Sequence, residues 1–136
     1  MHTPASRTLA PRTSTVTYPG GVEHVRAVRA DLRPLLCDCP MADEVVLCAS
    51  ELAANAVLHS RSRLPGGTFT VKIRINPGHH AQVEVEDDGG PWAPLESDPT
   101  GHRGLDIVCA LASAWGVNHD RTTRTAWARF DWRSGR

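Results

Sequence analysis

Apolar residues recur every three or four positions in three stretches of the chain, which is the spacing of one face of a helix. Pro34 lies late in the first stretch and predicts the last turn of that helix, because proline breaks a helix interior. Asp43 is a suitable N-cap for the second helix, whose pattern ends near His59. The three apolar stripes are Val22, Val25, Val28, Leu32 and Leu35, then Val45, Ala49, Leu52 and Ala56, then Leu105, Val108, Cys109, Leu111 and Ala112.

Apolar and polar residues alternate in five other stretches, as in a strand with one buried face. These stretches cover residues 14–18, 68–75, 81–86, 115–119 and 125–132. The turn signal Asn76-Pro77-Gly78 joins two of them into an antiparallel hairpin. The pattern therefore predicts an α/β (α+β) two-layer sandwich, in which three helices cover one face of a mixed, mostly antiparallel five-stranded sheet.

Composition limits the class of protein further. The 136 residues suit one domain, predicted at 13–132 between a disordered tail at 1–12 and a short C-terminal tail at 133–136. Fifteen basic and fifteen acidic residues give zero net charge, which argues against direct attachment to nucleic acid or a membrane surface. The chain has neither an apolar run of membrane length nor a secretory signal, so we expect a cytoplasmic protein.

The first candidate for chemistry is the run Glu51-Leu52-Ala53-Ala54-Asn55-Ala56 in the second predicted helix. Glu51 and Asn55 are four residues apart and therefore share one helical face. The Asn55 amide oxygen suits a hard cation, and Glu51 could act as a general base one turn away. Asn55 could equally hydrogen-bond to neighbouring backbone, which is how most buried polar groups are satisfied.

The second candidate is Asp87-Asp88-Gly89-Gly90-Pro91, which directly follows a predicted strand and opens a long loop. A carboxylate at a strand end can accept a hydrogen bond from an exocyclic amine, and a nearby glycine lets the backbone approach a flat ring. A plain turn is the alternative, because Asp-Gly pairs are common turn formers. Loops of this length in small domains are usually functional or disordered.

The third candidate is Gly101-His102-Arg103-Gly104-Leu105, ahead of the third predicted helix. Glycines before a helix expose N–H groups at the positive end of the helix dipole, which favours anions. The alternative is a flexible hinge at the start of a helix.

In this order, the three motifs resemble the GHKL ATPases, which share the Bergerat fold. The resemblance covers about residues 13–131, nearly the whole chain. Within that superfamily the sequence is most similar to the small bacterial anti-sigma-factor serine/threonine kinases. The short length and the run from Glu51 to Ser60 both suit that group.

The resemblance implies a role for each motif. Asn55 would coordinate Mg²⁺, and Glu51 would activate the attacking hydroxyl. Asp87 would accept a hydrogen bond from the adenine amino group of ATP, and Gly89 would let the ring approach. Thr125, in the last strand, matches a family threonine near adenine.

The phosphates of ATP would meet the third motif, through Gly101, Gly104, Leu105 and the cation Arg103, for which a surface role is equally open.

The sequence departs from the family pattern at three places. In the second motif, the family's first glycine box, Pro91 replaces a glycine. In the third motif, the second glycine box, the glycine pair is split as Gly101 and Gly104. Arg124 replaces the glycine before the terminal threonine, Thr125. These departures concern loop geometry and affinity more than fold.

The implied activity is transfer of the ATP γ-phosphate to an anti-sigma-factor antagonist protein, by a kinase that otherwise holds a sigma factor. The alternative is a catalytically inactive module of the same fold that binds ATP or a protein partner. A third reading is one half of a histidine kinase that works in trans. Related small kinases are often dimers, and a homodimer is open to this chain as well.

Overall fold

The computed structural model describes residues 10–89 and 102–132, with side chains in the second range from Leu105 onward. Three helices and five strands are present there, which confirms the predicted elements, and bounds differ from the prediction by a few residues. Arg12, predicted as the last residue of a disordered tail, instead begins the first strand. The elements are β1 Arg12–Pro19, α1 Glu23–Leu35, α2 Ala42–His59, a short 3₁₀ helix Arg61–Arg63, β2 Thr68–Asn76, β3 His80–Asp87, α3 His102–Leu111, β4 Ala114–His119 and β5 Arg124–Asp131.

The strand order in the sheet is β1-β2-β3-β5-β4. Each of the four strand pairings among the described residues is antiparallel, so the sheet is antiparallel and the predicted mixed character is absent from it. The reason is that α3 carries the chain from β3 out to the edge strand β4. A tight turn then brings β5 back between β4 and β3, which leaves every neighbour running the opposite way.

The core lies between the sheet and the helices. Phe69, Val71, Ile73 and Ile75 alternate along β2 and are all buried, as their spacing predicts. Burying such a side chain contributes roughly 1.5–3 kcal/mol, so this one strand anchors the layer. The positions between them are polar and lie on the opposite face of the sheet, which the helices leave uncovered.

Helix α2 is the centre of the helical layer, because it packs against α1, α3 and the sheet. Its predicted cap is wrong. The helix begins at Ala42, after Met41, whose side chain makes no capping hydrogen bond. Asp43 lies within the first turn, where its carboxylate accepts a 2.8 Å hydrogen bond from Arg33 and is therefore engaged away from the helix terminus.

The predicted features of α1 and α3 can be compared with the structure in the same way. Pro34 lies in the last turn of α1, as predicted. In α3, Leu105 and Val108 are buried, but Cys109 is exposed, so its place in the apolar face is wrong. Since α3 contacts α2 and β4 along a narrow stripe, a residue one position beyond Val108 points to solvent. No helix among the described residues is long and apolar enough to span a bilayer.

Candidate functional site

A small cavity lies where α2, α3 and the two strands β4 and β5 meet. Its volume is about 10 Å³, which is at the lower limit for a single water molecule. The lining is mostly apolar with one amide and one guanidinium, and consists of Leu52, Asn55, Leu105, Val117, Arg124 and Ala126. Two of the three predicted motifs therefore reach one place, through Asn55 on α2 and Leu105 in α3, and Arg124 at the start of β5 joins them.

Glu51 and Asn55 are positioned by the burial pattern of α2. Leu52, Ala53 and Ala56 are buried in the core. The side of the helix that carries Glu51 and Asn55 therefore lies at the edge of the core. Glu51 and Asn55 are both half-buried there, one helical turn apart. Asn55 lines the cavity, and Glu51 lies one turn before it.

Asp87 ends β3 and lies directly opposite Arg124, the first residue of β5. The two side chains form a buried ion pair, with exposed fractions of 3% for Arg124 and 2% for Asp87. Arg124 donates to a single oxygen of Asp87, Oδ2, from Nε at 2.9 Å and from Nη2 at 2.6 Å. The Asp87 carboxylate is therefore engaged with a side chain of the same molecule.

The charge state of Asp87 is set by opposing influences. Burial raises the pKa of the Asp87 carboxyl above its ordinary value, while the Arg124 guanidinium and the N–H of Gly89 oppose that rise. The pair compensates two charges that would each be costly to bury alone. Removing one partner of a buried ion pair typically costs about 3–5 kcal/mol.

Gly89 is needed for the shape of the turn after β3. Its φ is +65°, and a Cβ at this position would lie 3.1 Å from the carbonyl oxygen of Thr122. Its N–H donates to Oδ1 of Asp87 at 2.8 Å, and its carbonyl accepts from the N–H of Arg61 at 2.7 Å. The Asp-x-Gly motif thus forms a side-chain-stabilised turn, the plainer of its two predicted readings, and packs on the turn before β5.

Two serines that the sequence motifs did not single out connect this turn to the end of α2. Ser60 Oγ donates to the carbonyl of Ala56 at 2.7 Å and accepts from the N–H of Ser62 at 2.9 Å. Ser62 Oγ in turn accepts from the N–H of Asp88 at 2.9 Å. Ser60 and Ser62 therefore hold the turn after β3 against the end of α2, the helix that carries Glu51 and Asn55.

Thr125 is not brought to the cavity. It pairs with Glu86 and Asn118, whereas Arg124 pairs with Asp87. Because side chains alternate along a strand, Thr125 points to the face of the sheet that the helices leave uncovered. Its place near adenine stays a prediction, and the residues of β5 that line the cavity are Arg124 and Ala126.

The remaining predicted residues lie in the third motif. Leu105 is buried and lines the cavity. Gly101 and the side chain of Arg103 lie outside the described residues, so their phosphate contacts stay predictions. The backbone of Arg103 and Gly104 already belongs to the first turn of α3, which begins at His102 rather than after the motif.

Arg124 is the site residue whose role the sequence motifs missed. In the sequence it is a departure from the family pattern, one residue before the threonine. Its signal was available in the alternation of β5, where Ala126, Ala128 and Phe130 mark the inward face and Arg124 shares it.

The family model described as a histidine kinase-like ATPase domain matches residues 18–130. The chain belongs to this family. Membership of the family implies ATP binding.

Two solved structures have the same fold. The structure of the RsbU and RsbW domains of Rv1364c from Mycobacterium tuberculosis gives a TM-score of 0.68 at 22% identity, over 88% of this chain and 32% of that one. The SiaB–SiaC complex from Pseudomonas aeruginosa gives 0.51 at 16% identity, over 88% of this chain and 89% of that one. No curated protein sequence matches the chain. The chain thus spans about a third of the first of these two, and identities this low show the fold alone.

The described residues fit an adenine nucleotide only in part. Asn55 contributes an amide oxygen, and Leu52 and Ala126 contribute apolar walls for a flat ring. The Asp87 carboxylate is bonded to Arg124, which lines the same cavity. Among the described residues this cavity has a volume of about 10 Å³, enough for one water molecule.

Proposed function

We propose that the chain is an ATP-binding protein serine/threonine kinase that acts as an anti-sigma regulatory factor. Its substrate would be an anti-sigma-factor antagonist, and its second partner a sigma factor. The observation that carries the proposal is the placement of Glu51 and Asn55 one turn apart on α2, with Asn55 at the cavity. Membership of the histidine kinase-like ATPase family supports ATP as the ligand.

In this proposal some residues bind the nucleotide and Glu51 transfers a proton. Asp87 and Gly89 would contact the adenine ring, and Asn55 would hold Mg²⁺ through its amide oxygen. Glu51 would accept the proton of the serine or threonine hydroxyl. Bound MgATP would supply the phosphoryl group, and the protein's task in such a reaction is mostly positioning and charge neutralisation.

The neutral net charge supports a protein partner over nucleic acid. A regulator that holds a sigma factor would change transcription without touching DNA. The proposal places this work in the cytoplasm, on the chain as a monomer or homodimer.

The first experiment is a calorimetric titration of the purified protein with ATP, with and without Mg²⁺. We expect saturable binding that is lost or greatly weakened in Asp87→Asn, because the amide has one acceptor oxygen in place of the carboxylate's two and carries no charge. Asn55→Ala should bind ATP with less dependence on Mg²⁺. Absence of binding by the wild type up to millimolar ATP would overturn the kinase proposal.

The second experiment measures transfer of labelled γ-phosphate to a panel of anti-sigma-factor antagonist proteins. Glu51→Gln should lower the transfer rate by about 10²–10⁴-fold, the usual contribution of a general base, and leave ATP affinity unchanged. Glu44→Gln, which removes a carboxylate from the first turn of the same helix, is the matched control and should retain the rate. A label that survives base and is lost in acid would indicate phosphohistidine and contradict the serine/threonine assignment.

The second candidate function is a catalytically inactive module that binds ATP weakly or binds a protein partner alone. The specific observation in its favour is the buried pair between Asp87 and Arg124, which engages the carboxylate expected to read adenine. The retained Glu51 favours the kinase, because a binding module needs no base. Wild-type protein that binds an antagonist or sigma factor equally well with and without ATP would favour the module.

A further inference from the structure

We propose that Arg124 competes with adenine for Asp87 and thereby determines the nucleotide affinity of this site. This inference rests on the proposed nucleotide site. It adds a residue that neither the family membership nor the predicted motifs assign to binding.

The Asp87 carboxylate has few acceptor positions left. A carboxylate offers about four lone-pair positions. Arg124 uses Oδ2 twice, from Nε and Nη2, and the N–H of Gly89 uses Oδ1. One position on Oδ1 remains, and an amino group on a bound base that approaches Oδ2 has to displace a guanidinium bond that is both charge-assisted and buried.

The guanidinium also fills the place of the base. Arg124 lines the small cavity together with Asn55 and the apolar walls Leu52 and Ala126. These walls suit a flat apolar ring, yet the remaining volume of about 10 Å³ holds at most one water. A base that reaches Asp87 beside these walls would therefore have to take space that the paired guanidinium fills.

Arg124 lies at one end of the sheet, so a change in its side-chain rotamer leaves the strand pairing further along β5 in place. It is the first residue of β5, directly after the turn closed by the bond from Asp120 N–H to the Thr123 carbonyl at 2.8 Å. The residues that pack β5 into the core, Ala128 and Phe130, lie further along the strand. Only the fraction of molecules with the pair broken would take up a base, and apparent affinity falls in proportion to that fraction.

The test compares ATP affinity of the full chain by calorimetry in the wild type and in Arg124→Gln. Loss of the competing guanidinium should tighten ATP binding by about tenfold or more. The matched control is Arg129→Gln, in the same strand but on the uncovered face and bonded to Asp131, and it should leave the affinity unchanged. Inorganic tripolyphosphate, which has no base, should bind Arg124→Gln no more tightly than the wild type.

A second substitution protects the test against misfolding, because loss of Arg124 leaves a buried carboxylate without its partner. Circular dichroism and thermal unfolding establish which variants fold. Arg124→Lys keeps the charge but lacks the two-pronged donor geometry, so it should tighten ATP binding to a smaller degree. Unchanged or weaker ATP binding in the folded variants overturns the proposal, and so does equal tightening of tripolyphosphate, which would place the effect at the phosphates.

Failure of this inference and failure of the kinase proposal give different results. If folded Arg124 variants bind ATP more tightly and no variant transfers phosphate, the competition stands and the kinase proposal falls. If the wild type transfers phosphate and the Arg124 variants show unchanged ATP affinity, the kinase stands and the competition falls. If neither the wild type nor any folded Arg124 variant binds ATP, both fall.

Discussion

Single hydrogen bonds and one backbone conformation hold the turn after β3 in place. Gly89 supplies a positive φ and two backbone hydrogen bonds, and Ser62 supplies an acceptor for Asp88. Because the turn also carries Asp87, its geometry fixes the carboxylate that Arg124 engages. Substitutions here should change stability first and ligand affinity second.

Gly89→Ala should destabilise the protein by about 1–2 kcal/mol, because an L-residue is strained at this positive φ. Gly66→Ala is the matched control. Gly66 also has a positive φ, but a Cβ there would meet no atom within 4 Å. Urea unfolding should show a larger loss for Gly89→Ala, since its Cβ also presses on the Thr122 carbonyl. Equal losses of stability would contradict the close approach of this Cβ to the Thr122 carbonyl oxygen.

Ser62→Ala should lower the free energy of unfolding by about 1–3 kcal/mol, because it leaves the N–H of Asp88 without its acceptor in a buried setting. Ser113→Ala removes the same kind of bond, from Asp131 N–H to Ser113 Oγ, at an exposed position. Its cost should be smaller, because water can replace the lost acceptor. Denaturant titrations of both variants provide the comparison, and a reversed order would argue against the buried position of Ser62.

Three alanines on the buried face of helix α2 allow it to pack closely. Ala49, Ala53 and Ala56 are all fully buried, between the sheet and the flanking helices. This close packing brings Asn55 next to β5 and leaves the cavity beside it small. The dimensions of the site are therefore a property of the helix–sheet contact as much as of the site residues.

Ala53→Leu should destabilise the fold by about 1–3 kcal/mol, the usual cost of overpacking a filled core. Ala54→Leu, one position along the same helix and only half-buried, should change stability by about 0.5 kcal/mol or less. Thermal unfolding of the two variants measures the difference. Similar melting temperatures would mean that α2 lies further from the sheet than described.

In the described part of the molecule the helices cover one face of the sheet, and the four thiols differ in their exposure. Cys39 and Cys48 are buried in the helical layer, whereas Cys37 and Cys109 are exposed. Burial and the nearby carboxylates of Glu51 and Glu44 raise the pKa of the Cys48 thiol to about 11. Burial likewise raises the pKa of Cys39.

A thiol-specific reagent at about pH 8 should therefore react quickly with two of the four cysteines in the native protein, because attack requires an accessible thiolate. All four should react after unfolding in urea. Cys37→Ser and Cys109→Ser should each remove one fast equivalent. Rapid reaction of all four thiols in native buffer would show that the helical layer opens readily.

Local sequence patterns predicted much of this fold for identifiable reasons. Strict alternation in β2 and the three-and-four spacing of α1 and α2 are imposed by one-sided burial, so they can be read without the structure. Asp43 and Cys109 were misplaced because cap choice and the width of a buried stripe depend on neighbours, Arg33 in one case and the edge position of α3 in the other. The roles of Asn55 and Asp87 as ligand-binding residues stay predictions.

By itself, the sequence determined the elements, their order, the buried face of each and the family to which the chain belongs, since these follow from periodicity and local motifs. Only the tertiary structure decided which residues oppose one another across the sheet. The strand register places Arg124 opposite Asp87 and turns Thr125 away. A shift of one residue would exchange their faces, and a contact between residues 37 positions apart is fixed by packing rather than by any local pattern.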